Sequence, residues 1–400
     1  MSSLPLSAGL VGLVNPAFSS RTCTQRGRGL LRCGTSTLAL GCHSQTAATL
    51  TGVAAGVAVA LRRLHRELHS LGQQHRRSTS RTVVYSAATS PLSTLDGCLE
   101  RAVSSEVAGD ADAAGRAEAE ALAVVDELSA LLPSFGAAVQ MPKRELSLKD
   151  LSESGVEAAR LLSPEDTTLD GVRKALLVLV AALGTMLIVA TRPAWFDLAR
   201  IAFAVFLTLL ADQVFSGGVF ELILVDGIAQ MANNEYKVRV AQHEAGHFLV
   251  AYLVGVLPKA YTLSSLDALV RYQSPNVQAG CTFCDLAFRR EVSSGTLSGR
   301  TLDRFLCIAL GGVAAEYLRF GQARGGLTDI QQIEGLFRGL GFDQRKASAQ
   351  LRWAALNTVS LIRRHAEVHL RLSEAMARGA GVAECLAVIE QALCNSKVRA

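Results

Sequence analysis

The 400-residue chain contains no Gly-Lys pair. That excludes a phosphate loop of the form G-x-x-x-x-G-K-[ST], so any ATP dependence has to come from a partner. The nine cysteines show no regular spacing, which excludes a disulfide framework. The single C-x-x-C, Cys281 and Cys284, has no second pair with which to complete a four-ligand structural zinc site. It reads as two half-buried thiols, with a redox switch as the other use. Acid is nearly missing from residues 1–95, which hold ten arginines and one acid, Glu67. The whole chain carries +5 and this segment +9, so the remainder carries 5 − 9 = −4. The basic character belongs to the N-terminal segment, and nucleic-acid binding loses its electrostatic support.

Residues 1–95, rich in Arg, Ser, Thr, Ala and Gly, have the composition of an organelle transit peptide and a disordered N-terminus. Within them residues 46–61 are apolar but short for a span, and read either as part of the targeting segment or as an anchor in the precursor. Residues 84–88 lie near a candidate cleavage site. Residues 96–170 read as a helical spacer. Glu118, Glu120, Asp126 and Glu127 are expected on a solvated helix face, residues 136–149 form a linker, and residues 150–162 another short helix. Residues 171–215 read as a membrane anchor. The apolar run 176–190 with its flanks gives about 17 residues between Lys174 and Arg192, at the lower limit for a transmembrane helix. Trp195 suits an interface. A second run, 201–211, is bounded by Arg200 and Asp212 and reads as a short second span, a re-entrant arm or an interfacial helix. The alternative for both runs is a buried helical hairpin of a soluble protein. Basic residues flank both ends of the first run, so charge does not fix the orientation.

The stretch that carries chemistry is residues 240–252, where His243, Glu244 and His247 stand in the order H-E-x-x-H. On an α-helix, residues four apart lie about 40° apart around the axis and roughly 6 Å along it, so both imidazoles leave one face and can grip one ion. Glu244, about 100° round from His243, is near that ion without being forced to bind it. This suits a carboxylate that takes a proton from water activated by a metal. Asn233 or Asn234 can cap the helix start, and Gly255 and Pro258 can end it. The alternative is a pair of core histidines satisfied by backbone carbonyls.

His-Glu-Ala-Gly-His followed by Phe-Leu-Val-Ala-Tyr-Leu resembles the FtsH-type membrane zinc metalloproteases. A second block, Ala309-Leu-Gly-Gly-Val-Ala-Ala-Glu-Tyr-Leu and then Gly326-Leu-Thr-Asp-Ile330, agrees with it. The resemblance runs from about residue 234 to about 345 and is nearest to a plant and algal plastid branch that keeps the peptidase and lacks the motor. It implies Zn²⁺ held by His243, His247 and Asp329, with Glu244 as catalytic base. It also implies a plastid membrane, with a mitochondrial membrane left open by composition. Asp329 has an alternative as an acid favoured in a helix's first turn, where Thr328 and Gln331 read as a capping box. Glu316 either orients a histidine or forms a surface salt bridge. Val313 stands where the family usually carries an arginine.

Residues 260–263 and 278–288 read as short strands; in the family such strands border the cleft and can pair with an extended substrate. Residues 301–318 are expected as one helix whose small residues approach the zinc helix closely. Residues 330–394 read as helical with breaks near 339–341 and 379–381. His365 and His369 are also four apart, but Arg363, Arg364 and Arg371 crowd them, and they read as an exposed amphipathic face. The expectation is therefore a mainly α protein: a helical zinc-metallopeptidase domain over residues 220–395, with a small β element, preceded by one or two membrane helices. It would hydrolyse polypeptides in organelle quality control or processing, as a homo-oligomer or beside motor-bearing FtsH-type proteases. A non-catalytic membrane scaffold for those proteases is the rival, and a thiol-switch protein the third reading.

Overall fold

The computed structural model describes residues 89–164, 169–216, 218–273 and 280–399. The N-terminal helices are α1 (Thr89–Val107), α2 (Ala111–Glu127), α3 (Leu148–Glu153) and α4 (Ala158–Leu162). Two apolar helices follow, α5 (Asp170–Thr191) and α6 (Trp195–Ala211), then a π-helical turn (Asp212–Ser216) and α7 (Val219–Ala232). Next come α8 (Asn234–Val254), β1 (Leu257–Thr262), α9 (Ser265–Tyr272), β2 (Gly280–Cys284) and α10 (Leu286–Ser293). The chain closes with α11 (Gly299–Ala309), α12 (Gly311–Phe320), α13 (Leu327–Gly339), α14 (Gln344–Arg364), α15 (Ala366–Ala377) and α16 (Val382–Arg399). The protein is mainly helical. Its described β structure is one antiparallel pair, with Leu257 opposite Cys284, Thr262 opposite Gly280, and a bulge between Pro258 and Ala260.

Helix α8 is the hub. The Asn233 side chain accepts from the amides of Glu235 and Tyr236, and Gly255 ends the helix in a left-handed conformation at φ 82° that a glycine adopts without strain. Every residue from Ala241 to Val254 is buried, packed by α7, α11, α12, α14, α15 and the β pair. The closest approach is to α12. A Cβ on Gly246 would lie 2.3 Å from the Gly311 carbonyl oxygen, and one on Gly311 2.8 Å from the Gly246 carbonyl oxygen. The two backbones touch, as the run of small residues led one to expect. Residues 301–318, however, do not form one helix. The chain breaks at Leu310, between α11 and α12, just before the paired glycines that are the weakest helix formers in the stretch.

Residues 96–170 are not a detached spacer. Leu95, Leu99, Val125, Leu128, Leu151 and Leu161 share one core with Phe248, Leu249 and Tyr252. Glu118, expected in solvent, is fully buried between Lys259 Nζ at 3.1 Å and the Arg289 guanidinium. An acid and a lysine enter the core together because each neutralises the other. Residues 136–149 are docked as well: the amides of Gly136 and Ala138 donate to the Tyr252 and Leu253 carbonyls, both at 3.0 Å, at the end of α8. The boundary at residue 95 falls inside α1, where Leu95 is fully buried. The transit-peptide, residue 46–61 and residue 84–88 expectations lie outside the described residues.

One helix among the described residues, α5, is long and apolar enough to cross a membrane, with a mean hydropathy of 2.2 and none of its apolar window buried in the protein. Helix α6 has no buried residue either. Neither run is therefore buried as a core hairpin within the described chain.

Candidate metal centre

Two elements bring the donors together. Helix α8 presents His243 and His247 from one face, and α13 delivers Asp329 from its first turn. All three residues are buried. His243 Nε2 and His247 Nε2 lie 3.0 Å apart, and Asp329 Oδ2 lies 3.2 Å from the first and 3.3 Å from the second. Four ligands at about 2.0–2.1 Å around zinc lie about 3.3 Å from one another. The three donors thus form one face of such a tetrahedron.

The partners of the other ring nitrogens settle the tautomers. His243 Nδ1 faces Glu316 Oε1 at 2.9 Å, and His247 Nδ1 faces the Ile308 carbonyl at 2.7 Å. Both partners can only accept, so both Nδ1 atoms donate, and each neutral ring keeps its lone pair on Nε2. Two lone pairs and a carboxylate oxygen within 3.3 Å repel unless a cation stands among them. The charges agree. With the rings neutral, the carboxylates that line the cleft outnumber its one nearby arginine, Arg239, so the site favours a cation. Burial by itself would lower the pKa of both imidazoles, but Asp329, joined by Glu316 at His243, overrides it and raises both. Against the cost of burial, His243 and the other donors around Glu316 hold its carboxyl down at about 2, and the two imidazoles hold Asp329 well below the usual range. The donor set fits zinc.

The glycines around the site keep it open. A Cβ on Gly312 would lie 2.3 Å from His243 Nε2, and one on Gly326 3.1 Å from Asp329 Oδ2. Gly326, at φ +86°, precedes α13. Helix α13 begins at Leu327 with no side-chain cap, so the capping box expected of Thr328 and Gln331 does not form. Asp329 is both a first-turn acid and a metal-facing donor.

Glu244 lies beside the donors and is buried, yet its Oε2 has no hydrogen-bond partner in the protein. Burial raises its pKa above the ordinary carboxylate value, against the pull of the two imidazoles. It lines a cleft of about 170 Å³ together with His243, His247, Tyr236, Leu222 and Asp329. The β pair meets this cleft at its Leu263 and Gly280 end.

Sequence reading left Glu316 between orienting a histidine and a surface salt bridge; it faces His243 Nδ1, and its ion pair, Oε2 with Arg239 at 3.0 Å, is buried rather than on the surface. Arg239 itself was missed. It stands four residues before His243 on the same helix face, and that spacing was the available signal. The Asp226 carboxylate, which accepts from the Tyr236 hydroxyl and the Ser265 amide at 2.7 Å each, carried no signal. His369 is not on an exposed face. It is buried and donates from Nε2 to the Gln242 carbonyl at 2.8 Å. Cys281 and Cys284 are free and fully buried rather than half-buried, and burial pushes both thiols up, away from the thiolate a redox switch needs. Searches against protein-family models, curated proteins and solved structures find no match for this chain.

Proposed function

We propose that the protein is a membrane-anchored zinc metalloendopeptidase of a plastid, hydrolysing polypeptides in quality control or processing. The observation that carries the reading is the pairing of a three-donor cation site with a buried carboxylate beside it, Glu244, whose Oε2 has no hydrogen-bond partner in the protein. A purely structural zinc site uses four protein ligands and has no need of a further acid beside them with one buried oxygen left without a partner at a cost of about 1–3 kcal/mol. His243, His247 and Asp329 would hold the ion, and the zinc, when bound, acts as a Lewis acid that lowers the pKa of water to about 7 and polarises a carbonyl.

The chain's own residues do the rest. Glu244 Oε2 is free to accept a proton from the attacking water and to hand it to the leaving amine. Burial raises its proton affinity toward that of a useful general base. Glu316 and the Ile308 carbonyl keep both rings in the ligating tautomer and orientation. The cleft borders the β pair, and a strand edge is a place where an extended segment can pair, so flexible polypeptides suit it as substrates. A motor, where unfolding is needed, comes from a partner.

Purified full-length protein should contain one zinc per chain and cleave casein. Glu244→Gln should keep the zinc and lose about 10²–10⁴-fold in turnover. Zinc-loaded wild type without cleavage would favour the scaffold reading instead.

A further inference from the structure

Glu316 is the joint between the two elements that carry the metal donors. Its Oε1 faces His243 Nδ1 on α8 at 2.9 Å. Its Oε2 accepts from the amides of Arg324 and Gly325 at 3.0 and 3.3 Å, in the turn that leads into α13 and Asp329. A Cβ on Gly325 would lie 2.6 Å from Glu316 Oε1, so the turn is closed down on the carboxylate. One side chain thus sets where His243 and Asp329 stand relative to each other.

That side chain is buried. A ligating His243 ring is neutral, so the counter-charge of the carboxylate has to come from elsewhere, because a buried charge without a partner is costly. Arg239 supplies it. Its Nη1 lies 3.0 Å from Glu316 Oε2, and the residue is itself buried. The guanidinium lies over the Phe320 ring, 4.0 Å from the centroid, a cation–π contact. Its second ion pair, with Glu235 at 3.5 Å, goes to an exposed acid and adds little. Glu316 and Phe320 stand four apart on α12, so one face of that helix holds the guanidinium by charge and by ring. Arg239 and His243 stand four apart on α8, so the carboxylate spans one turn of the zinc helix.

Helix α12 could have carried the cation itself. Residue 313 stands three before Glu316, next to it on the helix surface. The position is apolar instead: Val313 is buried, and a Cβ on Gly326 would lie 2.4 Å from its Cγ2. Among the described residues no ion pair joins Glu316 to a cation of α12. We propose that Arg239 is the positioning residue of the metal centre. From α8 it holds Glu316, and through it the His243 ring and the Arg324–Gly325 turn, in the ligating arrangement. It acts through Glu316 alone and takes no part in the chemistry. This role rests on the zinc site proposed above and not on cleavage.

The test uses purified full-length protein with two readouts: zinc affinity by chelator competition, and the visible spectrum of the cobalt-loaded protein, which reports the ligand geometry. Arg239→Met keeps an apolar stem over Phe320 and removes the charge and the donors. It should lose about 10–100-fold in zinc affinity and alter the cobalt bands. Arg239→Lys keeps the charge without the planar fork and should stay within about fivefold of wild type. Adding Val313→Arg to Arg239→Met returns a cation to Glu316 from α12 and should recover most of the loss. Wild-type affinity and an unchanged spectrum in Arg239→Met would overturn the role. So would an equal loss in all three variants that follows their urea midpoints, the mark of a residue needed only for folding. If Arg239→Met does not fold, Phe320→Leu decides. It leaves every charge in place, frees the guanidinium and should weaken zinc roughly threefold; unchanged affinity overturns the role. The expected affinities in a protein that cleaves nothing support the role while the peptidase reading falls. A wild type that binds no zinc overturns the role together with the site.

Discussion

Among the described residues two pairs of histidines stand four residues apart, and they have opposite uses. His243 and His247 point their Nε2 atoms at each other and at a carboxylate, while their Nδ1 atoms are held by acceptors. His369 spends its Nε2–H on the backbone of α8, at Gln242, and burial lowers its pKa to about 4. His365 sits at the junction of α14 and α15, where burial and then Arg364 lower its pKa. The spacing is the same. The difference lies in what surrounds each ring: carboxylates that favour positive charge in one case, a carbonyl and arginines in the other. His369 serves the first pair, because its bond to the Gln242 carbonyl, together with the bond from Gln242 Nε2 to Ser373 Oγ at 2.6 Å, holds α8 one residue before His243.

The comparison breaks most sharply at Gly312. Gly312→Ala removes no donor, yet its Cβ would displace the His243 ring edge. It should abolish zinc binding in a purified protein that still folds, as read by metal analysis beside circular dichroism. Glu316→Gln is the next largest effect. It keeps an acceptor for His243 Nδ1 but removes the charge, and a loss of such a supporting partner costs about 10–100-fold in metal affinity. Competition with a chelator of known affinity measures it.

The second pair is tested by pH. Unfolded His369 takes its proton near the ordinary value of 6.5, whereas the folded residue takes it only near 4. The fold thus holds a neutral ring, and this contribution is complete above pH 6.5 and is lost as the pH falls through 4. The loss is on the order of 3 kcal/mol. His369→Gln keeps a donor for the Gln242 carbonyl and does not titrate, so urea midpoints should fall less steeply across that window than in the wild type. His365→Ala should change stability by no more than about 0.5 kcal/mol.

Much of the site was legible because it is local. Asn233, Gly255 and the H-E-x-x-H order write a capped helix and a shared face in one stretch of chain. Asp329 was legible only through resemblance, since nothing in the spacing alone says that α13 folds back onto α8. The roles of Ile308 and Glu118 were not legible. The Ile308 carbonyl is available because the chain breaks at Leu310, and a break inside an apolar run is a tertiary outcome. Glu118 looks like any exposed acid until Lys259 arrives from a strand far along the chain. The same holds for His369: three neighbouring arginines suggested a solvated face, while the ring itself turns inward to a backbone carbonyl that no sequence pattern advertises.

The most direct measurement is zinc stoichiometry in three purified full-length proteins, by elemental analysis against protein concentration. Wild type and the double variant His365→Ala, His369→Gln should each carry one zinc per chain. Asp329→Ala, left with two histidines where catalytic zinc needs three protein ligands, should carry none. Full zinc in Asp329→Ala together with its loss from the double variant would contradict the assignment of the site.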